Sequence, residues 1–98
     1  RLRQVQEILS QSLQDPPTLQ TLARLVGTNV NKLTLGFRQL FGTSVYGFVR
    51  EQRLELAYRM LATGQISVSD AAQTCGYTNS HFTKAFRNRY GVAPSALS

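Results

Sequence analysis

Apolar residues recur at three- and four-residue steps in several separate stretches of this chain, which is the pattern of amphipathic helices. The longest such stretch runs from Ser44 to Ala62 and predicts one helix with a single buried stripe. The stripe comprises Val45, Phe48, Val49, Leu56, Ala57, Met60 and Leu61. At about 1.5 Å per residue this helix would reach on the order of 28 Å, close to the roughly 34 Å of one turn of duplex DNA.

Prolines, glycines and side-chain caps divide the rest of the chain into further helices. The expected helical segments are 1–14, 18–26, 29–41, 44–62, 67–75 and 79–90, with a last short turn from Pro94. Thr18, Asn29 and Ser44 are the expected N-caps in the first half, and Ser67 opens a capping box in the second. No stretch alternates as a strand does, so we predict an all-α fold of about seven helices.

Two segments of the chain repeat one another without a gap. Gly27 and Gly76 stand 49 positions apart (76 minus 27), and their surroundings agree at the same spacing. The identical pairs are Ala23 with Ala72, Gly27 with Gly76, Thr34 with Thr83, Phe37 with Phe86, Arg38 with Arg87, and Gly42 with Gly91. Two unrelated segments of about twenty residues would share about one identical position, so we infer a duplication. Each copy reads helix, glycine turn, helix, which is the pattern of a helix-turn-helix.

The second helix of each copy has an apolar face and a polar face. The side expected to be buried carries Leu33, Phe37 and Phe41 in the first copy, and Phe82, Phe86 and Tyr90 in the second. The opposite side carries Asn31, Leu35 and Arg38, and in the second copy Ser80, Lys84 and Arg87, with Thr34 and Thr83 beside them. Such short polar and cationic side chains suit a helix in the major groove of DNA. Solvated polar faces are also common in ordinary helical bundles, so one such unit alone leaves both interpretations open.

The charge of the chain favours a polyanionic partner. Its 11 Lys and Arg outweigh 5 Asp and Glu, which gives a net charge of +6 and a pI near 10.3. We therefore expect nucleic acid, and no helix has the segregated cations and aromatics of a membrane-binding helix.

The 98 residues suffice for one domain, or two very small ones, without a large catalytic cleft. The chain begins with Arg1 instead of a methionine and has no signal peptide or transmembrane run. We therefore expect it to be a piece of a longer protein whose missing N-terminal domain binds an effector or mediates dimerisation.

Other groups of reactive residues are explained by structural roles. Cys75 is the single cysteine, which fits a reducing compartment and a buried side chain. His81 lies beside the polar face and could touch a phosphate, but no second ligand stands at metal-binding spacing. Ser67 and Asp70 form the capping box and lack a histidine partner for nucleophilic catalysis. We expect no catalytic residue, no metal, no cofactor and no enzymatic activity.

The chain resembles the DNA-binding domain of the AraC/XylS family of bacterial transcription regulators along nearly its whole length. The matching residues are Leu22-Ala23, Gly27, Leu33, Phe37-Arg38, Phe41-Gly42, Arg53, Ala57, Leu61, Ile66, Ala72, Gly76-Tyr77, Phe82, Phe86-Arg87, Tyr90-Gly91 and Pro94. The resemblance implies two helix-turn-helix subdomains, 1–43 and 64–98, joined by a linker helix at 44–63. In that family the two second helices enter successive major grooves. The segment from Asn31 to Ser44 is most similar to the branch that regulates siderophore and iron uptake.

Carried over by position, the resemblance implies base-reading residues on both second helices. They are Asn31, Thr34 and Leu35 in the first copy, and Asn79, Ser80, Thr83 and Lys84 in the second. Phosphate contacts are expected from Lys32, Arg38, His81 and Arg87. Relatives often carry a polar or basic side chain at the position of Leu35, so its contact is either an apolar one to a thymine methyl or absent. The turn between Gly76 and Phe82 is one residue shorter than in many relatives, which leaves the register of Asn79 and Ser80 open by about one position.

We predict sequence-specific binding of double-stranded promoter DNA by a cytoplasmic transcription regulator, an activator that also contacts RNA polymerase. One alternative is a helical module that binds an acidic protein, which would show no preference for any duplex. Another is the DNA-targeting part of a larger enzyme, which only residues before Arg1 could reveal.

Overall fold

The computed structural model describes residues 1–97, and its regular structure is helical. Six α-helices and one short 3₁₀ helix follow in order: α1 (Leu2–Gln11), α2 (Leu19–Leu25), α3 (Val30–Phe41), α4 (Val45–Ala62), α5 (Val68–Thr74), α6 (Asn79–Tyr90) and the 3₁₀ helix Pro94–Ala96. No strand occurs between residues 1 and 97, which confirms the all-α prediction and its number of helices.

Side-chain caps begin the helices at the predicted positions. In each case the cap oxygen accepts a hydrogen bond from the backbone N–H three residues later. The distances are 3.1 Å for Thr18, 2.8 Å for Asn29, 2.9 Å for Ser44 and 3.1 Å for Ser67. Each bond satisfies one of the backbone donors that a helix leaves unpaired at its N-terminus. The local chemistry of these four residues therefore determines where the helices start.

The chain forms two compact units, one of residues 1–52 and one from residue 53 onward. The first unit contains α1, α2, α3 and the beginning of α4, packed around Val5, Leu9, Leu22, Leu33 and Phe37. The second contains the remainder of α4, α5, α6 and the 3₁₀ helix, packed around Leu54, Leu61, Ala72, Phe82 and Phe86. Each unit thus has a hydrophobic core of its own, built mainly from aromatic and aliphatic side chains.

The single buried stripe predicted for α4 is wrong. The side chains of α4 buried in the first core are Val45, Phe48 and Val49, and those buried in the second are Leu54, Ala57 and Leu61. Leu54 lies outside the predicted stripe, whereas Leu56 and Met60 are only half-buried. Two residues five positions apart in a helix point about 140° away from each other. Leu54 therefore lies on a different side of α4 from Val49 and begins a second buried stripe. The pattern changes because successive parts of α4 belong to different cores.

Two smaller differences concern the first unit. Helix α1 ends at Gln11, three residues before the predicted end, where the Ser12 hydroxyl donates a hydrogen bond to the Ile8 carbonyl. Helical spacing places Leu19 on the same face of α2 as Leu22 and Ala23, but Leu19 is 37% exposed whereas the other two are buried. Within the described range, no helix combines the length and the apolar character needed to span a membrane.

Candidate nucleic-acid interface

The outward side of α3 forms the first candidate surface. Gly27 has a φ of +74° and turns the chain out of α2, and α3 then begins at Val30. Leu33 and Phe37 are fully buried, and the ring of Phe37 lies 4.5 Å from that of Phe41 between centroids. This anchoring leaves the opposite side in solvent. The exposed side chains there are Asn31, Lys32, Thr34, Leu35 and Arg38, which we call the first reading surface.

The outward side of α6 forms the second candidate surface. Gly76 has a φ of +76°, and the Thr78 hydroxyl caps α6 by accepting a hydrogen bond from the His81 N–H at 3.2 Å. Phe82 and Phe86 are fully buried. The exposed side chains are Asn79, Ser80, His81, Lys84 and Arg87; Thr83 is half-buried, and together these six residues form the second reading surface. All eleven sequence-predicted contact residues therefore lie on α3 or α6, five on one surface and six on the other.

The structural repeat has the same spacing as the sequence repeat. Helices α2 and α5 each have 7 residues, and α3 and α6 each have 12. The caps Asn29 and Thr78 obey the 49-residue spacing, as do the left-handed glycines Gly42 and Gly91 that end α3 and α6. The two helix-turn-helix units are thus built in one register within this chain.

This common register fixes the correspondence between the two reading surfaces. Helix α6 begins at Asn79, which corresponds to Val30 at the start of α3. Each later position of α6 then has one counterpart in α3. Ser80 corresponds to Asn31, His81 to Lys32, Thr83 to Thr34, Lys84 to Leu35, and Arg87 to Arg38. Asn79 therefore lies one position before the first predicted reader of α3.

The Asn79 side chain is engaged within its own unit. Its Nδ2 donates a hydrogen bond to Ser69 Oγ on α5 at 3.1 Å, and Ser69 Oγ lies 3.5 Å from Asn79 Oδ1. This contact ties the first turn of α6 to α5 and leaves the amide fewer groups to offer a base. Ser69 is absent from the sequence-based prediction, and its counterpart in the first unit, Gln20, gives no signal for such a bond.

Two arginines in the last turn of α6 have different surroundings. Arg89 lies 3.8 Å from the Glu55 carboxylate and sits over the Tyr90 ring, 4.9 Å from its centroid. It is therefore held against its own unit. Arg87 is exposed on the second reading surface, at the position that Arg38 occupies on the first. Each surface thus carries an exposed cation near the C-terminus of its helix.

An additional apolar groove lies beside the first reading surface. It is lined by Pro16, Pro17, Tyr46 and Val49 among others, and Thr34 borders it. Tyr46 is 66% exposed, and the Arg50 guanidinium lies 5.2 Å from its ring centroid. The two prolines and the exposed tyrosine are visible in the sequence, but nothing there brings them together.

The remaining reactive side chains have structural contacts. Cys75 Sγ donates to the Arg53 carbonyl at 3.3 Å, and burial raises the pKa of its thiol to about 11 despite the nearby charge of Arg53. A thiol with so high a pKa is a poor nucleophile at neutral pH. Ser67 caps α5, as predicted. Among residues 1–97, no three His, Cys, Asp or Glu side chains are grouped to hold a metal ion.

Comparison with known protein sequences identifies relatives over most of the chain. A family profile described as a helix-turn-helix domain matches residues 22–98. The regulatory protein PchR of Pseudomonas aeruginosa is 47% identical over 68 residues, which are 69% of this chain and 23% of that protein. The chain spans about a quarter of the length of the curated relatives it matches.

Comparison with solved structures identifies the same fold. A probable AraC family transcriptional regulator from Rhodopseudomonas palustris aligns with a TM-score of 0.86 at 29% identity, covering 98% of this chain and 92% of that one. The DNA-binding domain of AdpA, a global transcriptional factor solved in complex with a target DNA, aligns with a TM-score of 0.78 at 27% identity. That alignment covers 97% of this chain and 86% of the AdpA chain. These relatives are transcription regulators.

Proposed function

Because this chain belongs to the AraC-type family of helix-turn-helix domains, which bind specific DNA sequences in transcription regulators, we propose that α3 and α6 are its two recognition helices. The proposed base-reading residues are Asn31, Thr34, Leu35, Asn79, Ser80, Thr83 and Lys84, and the proposed phosphate contacts are Lys32, Arg38, His81 and Arg87. One observation carries this assignment. Both units present a capped second helix, in one register, with its polar and cationic side exposed.

In the proposed complex, α3 and α6 lie in successive major grooves of a promoter. Contacts to phosphates would position each helix, and contacts to base edges would carry the specificity. We propose α4 as the linker between the two subdomains, and its 18 residues correspond to about 27 Å of helix. The net charge of +6 supports strong electrostatic attraction to DNA. This attraction weakens at higher salt concentration, because the counterions that the protein releases from DNA then gain less entropy.

We further propose that the chain acts within a longer regulator. The greater length of its relatives supports an additional domain, which would bind an effector or mediate dimerisation. Such a regulator would work in the cytoplasm, activate transcription and contact RNA polymerase at the promoter. The siderophore and iron-uptake branch that residues 31–44 resemble stays a prediction.

Two substitutions separate base reading from phosphate binding. A duplex is first selected from a random pool with the 98-residue chain, and dissociation constants are then measured for that duplex and its single-base variants. Lys84→Ala should lose discrimination at particular base pairs, by about 1–3 kcal/mol, because a base-edge contact is removed. Arg38→Ala should weaken binding to all variants alike and reduce the salt slope by about one.

Arg59→Ala is the matched control, because it removes one positive charge from an exposed arginine of α4 that belongs to neither reading surface. It should change affinity less than Arg38→Ala. Equal, sequence-independent losses from Lys84→Ala and Arg38→Ala would contradict the assigned roles. If the wild-type chain prefers no duplex over random DNA at physiological salt, DNA recognition itself is refuted and a helical protein-binding module becomes the better account.

A further inference from the structure

The two reading surfaces differ at matched positions, and the difference is chemical. Thr34 and Arg38 are repeated as Thr83 and Arg87, so both surfaces carry the same side chains at these positions. At the central position the first surface has Leu35 and the second has Lys84. We propose that the two helices read different bases, an inference that rests on the proposed function. Leu35 selects a thymine by its 5-methyl group, and Lys84 selects a guanine by its major-groove acceptors.

Leu35 is placed and exposed as an apolar reader requires. Its side chain is 60% exposed on α3, on the side opposite the fully buried Leu33 and Phe37. Asn31 lies about one turn before it and Arg38 about one turn after it, so Leu35 stands between a base-reading amide and a phosphate-binding cation. An exposed leucine at that place has no hydrogen bond to offer a base edge. The thymine methyl is the one apolar group that the major groove presents.

Lys84 occupies the equivalent place on α6 with the opposite chemistry. It is exposed, and Ser80 and Arg87 flank it as Asn31 and Arg38 flank Leu35. Its ammonium group is a donor only, and guanine presents two adjacent acceptors, O6 and N7, in the major groove. A lysine in this register therefore favours a G·C pair where the leucine favours an A·T pair.

A second matched pair agrees with this difference. Asn31 corresponds to Ser80. An asparagine amide can form two hydrogen bonds with N6 and N7 of adenine, whereas a serine hydroxyl can form a hydrogen bond with any of several bases. Both changes make the first surface more selective for A·T pairs than the second. The binding site would then consist of two half-sites of unequal composition, although the two protein units are repeats of each other.

Base analogues test the two contacts one atom group at a time. In the selected duplex, each thymine of one half-site is replaced by 2′-deoxyuridine, which lacks only the 5-methyl group. Each guanine of the other half-site is replaced by 7-deaza-2′-deoxyguanosine, which lacks the N7 acceptor. One thymine replacement should weaken wild-type binding about fourfold, the gain expected from burying one methyl group, and should have no effect on Leu35→Ala. One deazaguanine replacement should weaken the wild type and have no effect on Lys84→Ala.

Leu40→Ala is the matched control for the leucine. Leu40 is also an exposed leucine of α3, 51% accessible, but it lies five positions from Leu35 and therefore about 140° around the helix. This variant should keep the full thymine-to-uracil effect. Leu35→Lys should in addition acquire a guanine preference in the first half-site. Circular dichroism of each variant confirms folding, which these exposed positions should not disturb.

The outcomes separate this inference from the proposed function. A wild-type chain that selects no duplex refutes the proposed function and this inference together. A selected duplex in which every thymine replacement affects wild type and Leu35→Ala equally refutes the leucine contact while sequence-specific binding stands. A guanine preference that survives in Lys84→Ala refutes the lysine contact in the same way.

Discussion

Replacing Phe86 with alanine tests how strongly one buried ring holds the second unit together. The side chain is fully buried, and its ring centroid lies 4.8 Å from Tyr90, 5.6 Å from Phe82 and 5.9 Å from Tyr58. A phenylalanine buries on the order of 150–250 Å², which at about 25 cal/mol per Å² corresponds to roughly 4–6 kcal/mol. Alanine keeps a little of this burial and the core relaxes around the cavity, so we expect a loss of about 3–5 kcal/mol.

Denaturant unfolding followed by far-ultraviolet circular dichroism measures this loss, from the midpoint and slope of the transition. Native proteins are stabilised by roughly 0.05–0.15 kcal/mol per residue, which gives about 2–7 kcal/mol for the unit that begins at residue 53. The second unit of Phe86→Ala should therefore be close to unfolding at 25 °C. Phe86→Leu keeps most of the volume and should cost far less. A loss below about 1 kcal/mol for Phe86→Ala, or equal losses for alanine and leucine, would refute the packing described for this core.

Two further predictions concern a helix cap and the buried thiol. Asn29→Ala removes the acceptor of the 2.8 Å hydrogen bond to the Lys32 N–H and should cost about 1 kcal/mol, whereas Asn29→Ser keeps a capping oxygen. Thermal unfolding should place the serine variant nearer to the wild type, and indistinguishable variants would contradict the role of the cap. Burial raises the pKa of Cys75 from 9.0 to about 11, so the thiol loses its proton at lower pH in the unfolded chain than in the folded one. The free energy of unfolding should therefore fall as pH rises from about 9 to 11. Cys75→Ala should show a shallower fall in denaturant titrations over that range, and parallel profiles would contradict it.

The elements that the sequence predicts well are those set by local chemistry. The caps at Thr18, Asn29 and Ser67 act on an N–H three residues away, and a glycine such as Gly27 adopts its left-handed conformation without help from distant residues. Local interactions of this kind are readable from neighbouring residues alone. The repeat at 49 positions is equally readable, because it requires only that the chain be compared with itself.

The features that the sequence leaves open depend on contacts between distant elements. A continuation of the first stripe of α4 would bury Leu56, but Leu54 is buried instead. The reason is that the second half of α4 packs in another core. The bond between Asn79 and Ser69 joins two helices, and Leu19 is exposed although Leu22 on the same face of α2 is buried. A helical wheel shows which residues share one side of a helix. Which side is buried depends on the elements that pack against that helix, and these are distant in the sequence.

The repeat also separates what folding requires from what recognition requires. The buried identities, Ala23 with Ala72 and Phe37 with Phe86, are explained by the two cores alone. Packing does not require an arginine at both Arg38 and Arg87, because both are exposed. The proposed phosphate contact of both arginines would account for that identity, since every nucleotide presents the same phosphate. The central pair, Leu35 and Lys84, is also exposed but dissimilar, and the proposed contacts to different bases in the two half-sites would account for that dissimilarity.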